Sequence, residues 1–181
     1  MKRLVRFSVG FTVFLMAVAF LLPRYCGPRP GDVIETWQTS NQSFQVQIVA
    51  RNEKYGFLGG GYYTFRSMPF GSEDWVEIMT FRHDDPVAIP KDQVHFVNDQ
   101  IAFGFMGWMY AVTTDGGKSW SVWDARKDLL NWKCCNYGLI EQVNVHPEGQ
   151  GTMIISVIDR GRGEVPLLQT KDYGRHWAKA E

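Results

Sequence analysis

One eight-residue pattern constrains the fold of this 181-residue chain more than any other feature, because it occurs twice. The copies are Thr113-Thr114-Asp115-Gly116-Gly117-Lys118-Ser119-Trp120 and Thr170-Lys171-Asp172-Tyr173-Gly174-Arg175-His176-Trp177. Both read Thr-x-Asp-x-Gly-x-x-Trp, and both lie between an apolar run and a short alternating segment. The chemistry is that of a tight hairpin. Asp115 and Asp172 can turn their carboxylates back onto backbone N–H groups of the turn. Gly117 and Gly174 can supply the positive φ that closes it. Trp120 and Trp177 begin the return strand and can bury a large ring against neighbouring strands.

Upstream of each copy stands a run of short alternating segments. Val94–Val97, Ile101–Phe105, Met109–Val112 and Trp120–Asp124 form one group of four strands, and Ile140–Val145, Met153–Ile158, Leu167–Thr170 and the strand from Trp177 form another. A third, degenerate copy of the hairpin falls at Gly71-Ser72-Glu73-Asp74-Trp75. It retains a glycine and the tryptophan without the diagnostic aspartate, and follows Phe44–Ile48 and Tyr62–Phe65 and precedes Val76–Met79. The period predicts three four-stranded antiparallel units, each the size of one propeller blade. Only Ala125–Trp132 suggests a helical turn within this all-β domain.

The repeated turn resembles the Asp-box, or BNR repeat, of sialidases and related β-propeller proteins, whose pattern is Ser/Thr-x-Asp-x-Gly-x-Thr/Ser-Trp. The first copy matches fully, and the second departs at His176. In that family the boxes are structural, so the resemblance gives Thr113, Asp115, Gly117, Trp120, Thr170, Asp172, Gly174 and Trp177 a scaffolding role. Three units fall short of the four or so blades needed for radial closure. The expectation is therefore an open stack of three sheets, a β-sandwich built from these hairpins, or a partial propeller completed by another subunit. The hairpins are also similar to those of photosystem assembly-factor propellers, which are non-enzymatic and serve membrane complexes.

The N-terminus sets the compartment. Lys2, Arg3 and Arg6 precede an apolar run from Phe7 to Leu22. This is the pattern of a secretory signal or of an uncleaved signal-anchor helix within residues 1–22. Ala17-Val18-Ala19 offers a small-x-small cleavage site, but Phe20-Leu21-Leu22 prolongs the apolar run and favours the anchor. Residues 23–31 read as a Pro/Gly-rich linker, and 32–181 as the β-domain. Residues 1–31 hold five basic side chains and no acid, whereas 32–181 carry 14 basic and 19 acidic residues, a net of −5. A mildly acidic exported domain argues against nucleic acid as a partner. In an oxidising compartment three cysteines allow one bridge, from Cys26 to Cys134 or Cys135, because adjacent cysteines rarely pair with each other.

Catalytic motifs are sparse. The sialidase resemblance implies an arginine cluster, a tyrosine–glutamate pair and an acid. Phe65-Arg66-Ser67-Met68-Pro69 is similar to the Phe/Tyr-Arg-Ile-Pro motif, but with one residue too many, so Arg66 reads as a solvated strand residue. Arg82-His83-Asp84-Asp85-Pro86 reads as a polar turn before a proline, and His95 and His146 lack ligand-spaced partners. No metal site and no cofactor is expected. Aromatic residues make up 14% of the chain, and they concentrate in clusters that could present an interface. The candidates are Tyr62, Tyr63, Phe105, Trp108, Tyr110, Trp132 and Tyr137. The expected function is a non-catalytic, membrane-tethered protein-interaction module outside the cytoplasm, an accessory or assembly subunit of a membrane complex. Carbohydrate binding by a degenerate glycosidase-like domain and a secreted inhibitor or immunity-type protein are the alternatives.

Overall fold

The computed structural model describes residues 29–54, 59–84, 88–89, 91–128, 137–158 and 167–180. Three four-stranded antiparallel meanders form among them. The first sheet comprises β1 (Arg29–Ser40), β2 (Phe44–Lys54), β3 (Gly61–Pro69) and β4 (Val76–His83). The second comprises β5 (Val94–Phe96), β6 (Ala102–Met106), β7 (Met109–Thr113) and β8 (Ser121–Asp124), followed by the single helical turn α1 (Ala125–Asp128). The third comprises β9 (Tyr137–Val145), β10 (Gly151–Ile158), β11 (Leu167–Thr170) and β12 (Ala178–Lys179). Among the described residues no helix is long and apolar enough to cross a membrane. The expected N-terminal helix, most of the linker and all three cysteines lie outside the described residues.

Two expectations need correction. Arg29–Gly31, assigned to the linker, already belong to β1, where Arg29 pairs with Lys54. The whole of β1 was also not anticipated. Its sequence carries Pro30, Gly31 and Asp32, and most of its residues are exposed, so it shows no apolar alternation. It is a strand because the long edge of β2 offers it hydrogen bonds, with register shifts between Pro30 and Val33 and between Val33 and Glu35.

Two hydrophobic cores separate three faces in sequence. Phe44, Val46, Ile48, Tyr63, Phe65 and Phe81 of the first sheet pack on Ala102, Met106 and Ala111 of the second. From its other face the second sheet sends Phe103, Phe105, Tyr110, Val112 and Trp123 against Ile140, Met153, Ile155, Leu168 and Trp177 of the third. The middle sheet is therefore covered on both sides, and β6 is buried at every position. Small residues alternate with aromatic ones along β6 and β7: Ala102, Gly104 and Ala111 face the large rings of the first sheet, while Phe103, Phe105 and Tyr110 fill the second core. That alternation lets two sheets approach the same strand pair from opposite sides.

Candidate interaction surface

The two complete hairpins have nearly superimposable hydrogen bonding. In the first, Thr113 Oγ1 donates to Asp115 Oδ1 at 2.8 Å and accepts from Gly117 N at 3.1 Å. Asp115 Oδ1 also accepts from Lys118 N and Ser119 N at 3.1 and 3.0 Å, and Ser119 Oγ donates to Oδ2 at 2.5 Å. In the second, Thr170 Oγ1 donates to Asp172 Oδ1 at 2.8 Å and accepts from Gly174 N at 2.9 Å. His176 N donates to Oδ1 at 3.0 Å, and its ring Nδ1 lies 2.5 Å from Oδ2. The imidazole thus stands in for the hydroxyl of Ser119, which explains how the pattern survives that substitution.

These bonds set the charge state of both carboxylates. Partial burial pushes each pKa up, but the donors outweigh it and leave both below the usual aspartate range. For Asp115 the lowering comes from Ser119 side chain and backbone, then Thr113 and Lys118. For Asp172 it comes from His176 side chain and backbone, then Thr170 and the His176 charge. Each carboxylate is engaged with its own turn.

Both turns also seat against the preceding sheet. Gly117 has φ 79° and Gly174 φ 85°. A Cβ on Gly117 would come within 2.6 Å of the Phe44 ring, and one on Gly174 within 2.5 Å of the Tyr110 hydroxyl. Ser67 Oγ donates to Gly117 O at 2.8 Å and accepts from Trp120 Nε1 at 2.9 Å. Tyr110 Oη donates to Tyr173 O at 2.8 Å, and its ring meets that of Trp177 edge-on with centroids 5.4 Å apart. Burial, then the charge of Asp172, pushes the Tyr110 pKa up, so the phenol stays a donor.

The third copy, at Gly71–Trp75, joins β3 to β4, the same place the other two occupy in their sheets. Gly71 has φ 87°, as Gly116 has φ 72°, and each stands four residues before its tryptophan. No earlier sheet lies under it among the described residues. Trp75 is instead half-buried on the outward face of the first sheet, with the Arg66 guanidinium 4.6 Å above its ring.

That outward face is a hydrogen-bonded polar surface. Arg66 Nε donates to Gln47 Oε1 at 2.7 Å, Gln47 Nε2 to Gln38 Oε1 at 3.2 Å, and Gln38 Nε2 to Gln45 Oε1. Beside this amide relay Thr64 and Thr80 share a bond of 3.1 Å, and Thr80 Oγ1 donates to Glu77 Oε1 at 3.0 Å. Arg66, expected as a solvated strand residue, is held by two partners, the Gln47 amide oxygen and the Trp75 ring. The relay escaped the sequence reading because its glutamines come from strands paired over seven to nineteen residues. Alternation of Gln45 and Gln47 with Phe44, Val46 and Ile48 was the signal that could have found it.

The aromatic expectation needs the largest correction. Tyr63, Phe105 and Tyr110 are 2%, 5% and 0% exposed, because they fill the two inter-sheet cores rather than an outer face. Trp108 is half-buried, with its ring centroid 4.5 Å from that of Phe81. Tyr62 is half-buried on the same strand face as Thr64 and Arg66. Trp132 and the side chain of Tyr137 lie outside the described residues, as does any bridge from Cys26 to Cys134 or Cys135.

The remaining polar candidates sit in turns or pairs. Arg82 bonds Glu53 at 3.1 Å and Asp84 at 2.6 Å. The His95 ring stacks on Phe103 with centroids 4.8 Å apart. An open groove runs along β11 and β12, lined by Lys171, Asp172, His176 and Lys179. Among the described residues no group of three or more His, Cys, Asp or Glu is arranged to hold a metal ion. Comparison with protein-family models, with curated proteins and with solved structures finds no match for this chain.

Proposed function

We propose that this chain is a non-catalytic interaction module of the Asp-box type, an open stack of three propeller-like blades. Its N-terminal apolar run tethers it to a membrane, and the β-domain works outside the cytoplasm on a protein partner in a membrane complex. The observation that carries this reading is how the polar groups are spent. The carboxylates of both hairpins are engaged by their own turns, and Tyr63, Phe105 and Tyr110 are engaged between sheets. What faces outward on the first sheet is an amide, hydroxyl and arginine surface around one tryptophan. Ordered donors and acceptors beside a half-buried Trp–Arg pair suit the hydrogen-bonding demands of a protein interface.

Affinity purification of the full chain from solubilised membranes tests the proposal. Stoichiometric recovery with an integral membrane complex, lost in a W75A/R66E variant that still folds, is the expected result. A monodisperse monomer retained on a glycan array through the same Trp75 face would replace it with the carbohydrate-binding reading. A soluble partner bound outside any membrane complex would instead favour the secreted inhibitor.

A further inference from the structure

Val33 and Ile34 form an adjacent pair of large apolar side chains that are 50% and 63% exposed. They lie on β1, the outer edge of the first sheet, where Val33 stands between its two register shifts and Ile34 falls within the second. A bulge interrupts the one-in, one-out alternation of a strand, and here two consecutive apolar residues stand in solvent. Neither reaches the inter-sheet core that holds Trp37 farther along the strand.

Their place in the chain supplies a reason. The apolar run ends at Leu22, and the described strand begins at Arg29. Seven residue steps span at most about 25 Å even when fully extended. The headgroup layer occupies roughly 5–8 Å on each side of the hydrocarbon. If the run is a membrane anchor, the end of the sheet that carries Arg29, Val33 and Ile34 is kept within roughly 20 Å of that layer and is the end nearer the tether, whereas Phe70 lies at the opposite end of the strands.

Among the described residues the charges at this end balance. Arg29, Arg51, Lys54 and Arg82 stand with Asp32, Glu35, Glu53 and Asp84. Lys54 pairs with Asp32 at 3.0 Å, and Arg82 with Glu53 and Asp84. What the end offers a bilayer is therefore apolar area without a net charge to oppose approach. We propose that Val33 and Ile34 form a membrane-contact point that seats the first sheet on the lipid interface and fixes the tilt of the domain. This rests on the tether proposed above and adds an orientation to it.

The full chain, reconstituted in phosphatidylcholine vesicles with or without brominated acyl chains, tests both levels separately. An environment-sensitive fluorescent amino acid is placed at position 34 in one variant and at position 70 in another. These sites sit at opposite ends of the first sheet, roughly 20 Å or more apart along the strands. The expected result is flotation with the vesicles and at least twofold stronger bromine quenching at position 34 than at 70. Flotation with equal quenching at the two positions overturns the contact while leaving the tether. Failure to float overturns the tether and the contact together.

Discussion

The junction between the first and second sheets and the junction between the second and third are built around the same eight-residue turn. Their outside supports differ. Trp120 donates its indole proton to Ser67, whereas the buried Nε1 of Trp177 has no hydrogen-bond partner among the described residues. Counting back from the hairpin tryptophan of each supporting sheet explains the difference. Ser67 stands eight residues before Trp75, and Val112 stands eight before Trp120. Both face the next sheet. Ten residues before the tryptophan stand Phe65 and Tyr110. The hydroxyl has moved by one strand position on that face, from the Ser67 place to the Tyr110 place, and its target has moved from Gly117 O to Tyr173 O. Local bonding inside the turn is retained while the anchor to the neighbouring sheet is exchanged.

The strongest way to break this comparison is through the closing glycines. Gly117→Ala and Gly174→Ala each force a Cβ into a left-handed backbone and into an aromatic side chain less than 3 Å away. Backbone strain and overpacking together predict a loss of about 3–5 kcal/mol for either, measured by urea unfolding. Gly71→Ala is the control. Its φ is equally positive, but nothing lies within 4 Å of the added carbon, so only about 1–2 kcal/mol should be lost. If all three variants lose the same amount, the contact with the preceding sheet is irrelevant and only the turn geometry matters.

Next in size are the two anchors. Ser67→Ala leaves Gly117 O and Trp120 Nε1 without their partner in a buried site, predicting a loss of about 2–3 kcal/mol. Tyr110→Phe removes one bond and orphans only Tyr173 O, predicting about 1–2 kcal/mol. Reversal of that order would mean that the second junction leans on its hydroxyl more than the first.

How much of this was legible in the sequence follows from the range of each interaction. The bonds of the repeated turn close within five residues, so residue types at fixed offsets were enough to read Thr113, Asp115, Thr170 and Asp172 as turn-forming. Trp75 was legible for a different reason, because it stands one repeat length, 45 positions, before Trp120. Ser67 was not, because its partners lie 50 and 53 positions away. The aromatic surface failed for a different cause. Period two sorts side chains onto two faces but does not say whether both faces are covered, and in the second sheet both are. A segment such as Phe103-Gly104-Phe105 then looks like an exposed cluster when it is the middle layer of a stack.

Acid should weaken both turns, and more gently. Both aspartates have lowered pKa values in the folded chain, so the stability they provide is present above the unfolded aspartate value of about 3.9 and is lost as pH falls through the folded values. Urea midpoints should therefore fall below about pH 4, and Asp115→Asn and Asp172→Asn should each be less stable at pH 6 and show a shallower acid decline. Both carboxylates are partly exposed, which keeps these effects below those of the buried anchors. An unchanged acid profile in both variants would remove the carboxylates from the stability of the turns.

The smallest effect is the most discriminating. Val112 is buried, and a Val→Thr change in a core ordinarily costs stability because the new hydroxyl is desolvated without a partner. Here the position matches that of Ser67, and the indole N–H of Trp177 is in the same core with no acceptor among the described residues. The threonine hydroxyl can accept that proton, so two unsatisfied groups would become one bond. Val112→Thr is accordingly expected to lie within about 1 kcal/mol of the parent, and to lose its tolerance when Trp177→Phe is added, since phenylalanine cannot donate. The double-mutant cycle reads the coupling directly. A coupling of zero would show that the second junction is not a repeat of the first at this position, and that the orphaned indole belongs to a differently packed interface.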